Sequence, residues 1–196
     1  MIARLAGRVF EKHPNRLVVD VAGVGYDVQV PLSTFYTAGE PGTEIALRIH
    51  THVREDQLSL YGFATALELT MFERLIAVSG IGPKLALSVL SGIETRDLIG
   101  AILRNDLARL TAIPGVGKKT AERMCVELRD RMPKAVATGA VPSPGDALRD
   151  DLVSALSNLG YHRQAIDKSL DKLVSDAGDQ RFEDVLRSAL KDLSRA

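Results

Sequence analysis

SGIGPKLA (residues 79–86) and PGVGKKTA (residues 114–121) are one phrase written twice, 35 positions apart. In each copy a short apolar helix is expected to reach a Gly-apolar-Gly turn, Gly80-Ile81-Gly82 or Gly115-Val116-Gly117, and a second helix to leave it with lysine in its first turn. Glycine admits positive φ without a Cβ penalty and lets backbone N–H groups come close to a ligand. Ile81 and Val116 anchor the turns from inside. The first turn of the departing helix carries unpaired N–H groups and the positive end of the helix dipole, so an anion is held there with no base identity read. Lys84, Lys118 and Lys119 add charge, and Pro83 suits the first helical position, where its missing N–H is no loss. The doubled turn points to two bound phosphates.

A nucleotide-binding P-loop is the nearest alternative, because Thr120 follows Gly117-Lys118. It fails on spacing: the loop needs glycine five residues before Gly117 and Ser or Thr directly after Lys118, and those positions are Ala112 and Lys119. Plain helix breaks would account for one copy, but not for two aligned copies with lysine at the same offset.

Outward from the repeat, the helical period extends over residues 64–133. ALELTMFERLIAV, KLALSVLSG, TRDLIGAILRN, LARLTAI and KKTAERMCVELRDRM space their apolar residues by three and four, which predicts about five helices. Residues 1–63 instead alternate in short runs, IARLAGRVF, RLVVDVAG, YDVQV, EIALRIHTHV and QLSLYGF. These predict five strands in a small closed or nearly closed antiparallel barrel, with the oligonucleotide-binding (OB) fold as leading candidate. PKAVATGAVPSPGD (133–146) gathers three of the eight prolines with Gly, Ala, Ser and Thr and reads as a flexible linker over 134–146. Beyond it, residues 147–196 form three short amphipathic helices, a marginal module better suited to binding a protein partner than to chemistry. The expected organisation is an α+β multidomain chain with segments 1–63, 64–133, 134–146 and 147–196.

The 196 residues are 45% apolar and carry a formal net charge of zero, unusual for a nucleic-acid binder. The charge is unevenly placed, however. Residues 1–63 hold 6 basic and 7 acidic side chains, 64–134 hold 11 and 8, and 135–196 hold 8 and 10. Positive charge is confined to the repeat segment, which implies focused, salt-sensitive backbone contact. No apolar run is long enough to span a bilayer, and MIARLAGRVFEKHP lacks the apolar core of a signal peptide, so a cytoplasmic protein is expected. The single Cys125 falls on an apolar helix face and is given no chemistry. Asp130 sits in a run of alternating charge, and His50 and His52 share a strand face without a third ligand at recognisable spacing. No catalytic constellation or metal set is assembled.

The whole chain resembles the RuvA family, the Holliday-junction-binding subunits of the bacterial branch-migration complex. GVGYDVQVP (23–31), VREDQLSLYGF (53–63), SGIGPKLALSVLSG (79–92) and PGVGKKTAERMCVE (114–127) carry the resemblance. It implies that the repeated phrases are tandem helix-hairpin-helix motifs gripping duplex backbone across the minor groove, with Gly80, Gly82, Lys84, Gly115, Gly117, Lys118, Lys119 and Arg123 as DNA contacts. It gives a role to Glu55 and Asp56, otherwise a solvated hairpin tip, as an acidic pin near the fourfold axis of a tetramer. It also implies that residues 147–196, a three-helix unit like a ubiquitin-associated domain, dock on the RuvB ATPase, with Leu156, Leu159, Tyr161 and Leu190 as the candidate patch. The implied function is structure-specific, sequence-independent junction binding in recombination, DNA repair and the SOS response. The chain would have no catalytic site or cofactor of its own: ATP and Mg2+ would be used by RuvB, and RuvC resolvase would join the complex. Self-association into a tetramer, or two face-to-face tetramers on DNA, is implied as well.

Overall fold

The computed structural model describes residues 1–129 and 132, and further on 148, 151–153, 155–157, 159–161, 163–174 and 182–193. The chain divides into two compact units, Met1–Ala137 and Thr138–Ala196.

Five strands open the first unit: β1 (Arg4–His13), β2 (Arg16–Val21), β3 (Val24–Gln29), β4 (Glu44–Val53) and β5 (Leu58–Phe63). They close into a barrel in the order β1-β2-β3-β5-β4. Alternation drives the closure, since Leu5, Leu17, Val19, Val28, Leu47, Ile49 and Leu60 all point into one core. The wholly antiparallel barrel expected from sequence needs correction at one seam: β3 meets β5 in parallel, Val28 opposite Leu60 and Gln29 opposite Tyr61. The two strands are separated in the chain by a crossover that includes β4, so they run the same way when they meet. A bulge between Val9 and Glu11 bends β1 so that one strand pairs with both β2 and β4. The crossover also contains a helix absent from the sequence reading, α1 (Leu32–Thr37).

The helical half follows at once: α2 (Ala66–Ile76), α3 (Pro83–Gly92), α4 (Thr95–Arg104), α5 (Leu107–Thr111) and α6 (Lys118–Leu128). All five predicted helices are present. Their core is continuous with the barrel, because Tyr61 and Phe63 of β5 stack on Phe72 of α2, with ring centroids 5.0 and 4.9 Å apart. Burial of each such ring contributes about 1.5–3 kcal/mol, so the barrel and the helices share a packed joint. Strands end at Phe63 and helices begin at Ala66, all within one compact unit.

In the second unit, α7 (Arg163–Val174) and α8 (Phe182–Leu193) pack with helical residues at 151–153 and 155–157. Leu152, Leu156, Ile166, Leu170, Val185 and Ala189 form its own core. The predicted linker, 134–146, lies outside the described residues.

Candidate nucleic-acid interface

The two Gly-x-Gly turns are conformational copies. Gly80 and Gly115 both have φ of 87°. Gly82 and Gly117 cap α3 and α6 with φ/ψ of −88/171° and −84/167°. Each turn is tied inward by the same bond, Ile81 N–H to Val78 O and Val116 N–H to Ile113 O, both at 3.0 Å. Ile81 and Val116 are buried as expected.

The glycines fall into two kinds. At Gly80 and Gly115 the left-handed backbone requires glycine, since a Cβ there costs about 1–2 kcal/mol. At Gly82 and Gly117 the backbone is ordinary, and an added Cβ would meet nothing within 4 Å. No described residue demands glycine at those two caps; what they leave is open space at the uncapped helix starts.

The amides are unpaired by construction. Neither α3 nor α6 has a side-chain cap, whereas α2 is closed by a Thr65–Glu68 capping box and α5 by Asp106. The N–H groups of Lys84 and Leu85, and of Lys118, Lys119 and Thr120, therefore have no intrahelical acceptor. Lys84, Lys118 and Lys119 are exposed, and none has an ion-pair partner among the described residues. Two exposed arginines of the unit are by contrast paired, Arg109 with Asp97 at 2.7 Å and Arg16 with Asp27 at 2.9 Å. Two copies of an uncapped, positively charged helix start thus stand on one body.

Arg123 is differently placed. Its Nη1 donates to the carbonyl of Ser79 at 2.6 Å, so the second motif's helix reaches back to the first motif's turn. In return Leu85 of α3 lies against the turn at Gly115. Arg123 braces one turn against the other, a role that sequence reasoning missed because it depends on a contact 44 residues away.

Glu55 and Asp56 sit at the tip of the β4–β5 hairpin, in a turn closed by Arg54 N–H to Gln57 O at 2.8 Å. Both are exposed and lack an ion-pair partner among the described residues. The neighbouring cation is turned away from them, with Arg54 Nε donating to His52 Nε2 at 3.2 Å. His50 is bound by Glu73 of α2 at 3.3 Å and stacks edge-on against Phe72, which places it in the barrel–helix joint. Burial pushes the Cys125 thiol up from its ordinary value, which disfavours the reactive thiolate.

Of the candidate docking residues, Leu156 needs correction. It is fully buried in the core of the second unit and offers no surface to a partner. Leu159 is 60% exposed beside Gly160, Tyr161 is half-buried, and Leu190 packs half-buried against the same core. Helical period placed Leu156 on an apolar face but could not say whether that face was covered.

Three family models match in chain order: the RuvA N-terminal domain at residues 1–62, a SAM-like helix-hairpin-helix tandem at 72–130 and the RuvA C-terminal domain at 147–194. Among curated relatives, the Holliday junction branch migration complex subunit RuvA of Geotalea daltonii is 48% identical, covering 100% of both chains. The protein of that name from Solibacter usitatus is 49% identical over 97% of this chain and 98% of its own. That of Geobacter sulfurreducens is 47% identical over 100% of both. No helix among the described residues is long and apolar enough to cross a membrane.

Proposed function

Since the chain belongs to the RuvA family, we propose that it binds four-way DNA junctions by their shape and delivers them to a RuvB-type ring ATPase for branch migration. The observation that carries this reading is the duplicated uncapped helix start, in which Gly82 and Gly117 leave open space beside backbone amides that have no acceptor among the described residues. A phosphate oxygen is the natural acceptor for such amides, and contacts of that kind fix orientation without reading sequence. Four copies around a junction present eight such grips, with the carboxylates of Glu55 and Asp56 near the crossover. The chain supplies no chemistry: ATP and Mg2+ are used by the motor. A tetramer, alone or facing a second tetramer, is the assembly this reading calls for, with RuvC acting on the same complex in the bacterial cytoplasm.

The direct test is a gel-shift competition between a synthetic four-way junction and linear duplex of equal length, with the mass of the complex measured. Junction preference in a multimeric complex is expected; equal affinity, or a monomer on the junction, defeats the reading.

The two kinds of glycine give separable outcomes. Gly82→Ala with Gly117→Ala is expected to keep the melting temperature, because the new methyls meet no protein atom, while junction affinity drops at least tenfold as they hold phosphates off the amides. Gly80→Ala with Gly115→Ala is expected to lower the melting temperature by several degrees through left-handed strain at both sites. Thermal melts and junction titrations on the two double variants check the pair.

A further inference from the structure

The barrel that carries the acidic tip and the helices that carry the grips are joined at a buried polar node centred on Glu68. Glu68 is buried, at 6% exposure, and no ion-pair partner faces it among the described residues. It accepts four hydrogen bonds. Ser33 Oγ donates to Oε1, while Thr34 Oγ1 at 3.3 Å, Thr65 Oγ1 at 3.2 Å and the Thr65 N–H at 3.1 Å converge on Oε2. Thr34, fully buried, also accepts from Ala64 N–H at 3.0 Å. The node therefore ties α1 to the point where the pin-bearing strand β5 ends and α2 begins. The same α1 is fastened to a grip helix, because Leu32 N–H donates to Ser91 Oγ of α3 at 3.0 Å.

Capping α2 requires only Thr65 and Glu68. The two α1 hydroxyls are additional, and their effect is directional. Apolar packing at the joint tolerates small slides, whereas a satisfied buried polar network admits one arrangement and penalises others by leaving groups unpaired. We propose that Ser33, Thr34 and Glu68 are positioning residues for junction selectivity, fixing the acidic tip at a set distance from the two phosphate grips. This rests on the reading under Proposed function: the grips attract any duplex, and selectivity needs the repelling tip at the correct place relative to them.

The test separates cap from joint. Ser33→Ala with Thr34→Val keeps the capping box and the Leu32–Ser91 bond but removes both α1 hydroxyls from Glu68. Thr65→Ala removes the cap hydroxyl and leaves Ser33 and Thr34 on Glu68. In full-length protein below its melting temperature, the first variant is expected to bind linear duplex within about twofold of wild type while its junction-over-duplex preference falls about tenfold, the scale of one buried hydrogen bond. Thr65→Ala is expected to melt earlier yet keep its preference, and Thr34→Ser, which retains the hydroxyl, to restore it. Wild-type preference in Ser33→Ala/Thr34→Val, or equal losses on junction and duplex, overturns the proposal. Should that variant not fold, Ser33→Ala alone is measured by the same ratio; a loss of about threefold is expected, and no change overturns it. A wild-type protein without junction preference would defeat the functional reading instead, so the two failures are distinguishable.

Discussion

A chain ending at residue 146 is expected to bind a four-way junction with wild-type affinity and to give a RuvB-type motor no stimulation at all. The first half follows from where the cores lie. Among the described residues, neither core of the first unit contains one beyond Met132, and truncation removes neither Gly-x-Gly turn. The second half follows from what is lost. Residues 148–193 carry a core of their own, and Leu159 stands out of it beside a glycine turn at φ 91°. An exposed leucine at such a corner is open to a partner, whereas a buried one holds the corner in place. Leu159→Glu in the intact chain is therefore expected to reproduce the truncation without loss of fold, and Leu156→Ala to act by destabilising the second unit, by about 2–5 kcal/mol. Measured ATPase and branch-migration rates of the motor, with junction titrations alongside, decide the matter; stimulation by the truncated chain would remove the docking assignment.

Glu55→Gln with Asp56→Asn is expected to bind linear duplex roughly tenfold more tightly while losing most of its preference for a junction. The tip is exposed, its two carboxylates are unpaired among the described residues, and Arg54 is held by His52. Arg54 offsets one of the two negative charges at most, so a phosphate brought to the tip still meets net repulsion. In a tetramer the effect is multiplied by four at the centre. Neutral isosteres keep the turn and its Arg54–Gln57 bond and remove only the charge. The expected gain on linear duplex should shrink as salt is raised, because exposed charges are screened over about 10 Å at 0.1 M. Unchanged selectivity in the competition assay, at low and high salt, would falsify the pin.

Local periodicity made most of the architecture legible. Strands with a period of two and helices with a period near 3.6 came out at nearly the observed bounds, and the doubled turn announced its shape. What escaped depends on distant partners. The segment PLSTFYT carries no charge and too few residues to show a helical period, so α1 was invisible. Parallel closure of β3 on β5 depends on the path of the intervening chain, which alternation does not encode. Thr65 and Glu68 spell a capping box that could have been read, but the two hydroxyls that turn it into a joint come from more than 30 residues upstream. Leu156 and Leu159 look alike as letters and differ by everything in exposure, 0% against 60%, because one turn of chain separates inside from outside.

The parallel seam also has a meaning in time. During synthesis β1, β2 and β3 can form a meander as they emerge, but β3 keeps one edge bare until Leu58–Phe63 arrives, and β1 waits for β4 across some 40 residues. Non-local pairings of this kind are made late. The barrel is therefore sealed by the same strand whose next residues start the helical half, and the acidic tip lies between the last two strands to join. A ribosome therefore completes the acidic tip before it makes either Gly-x-Gly turn.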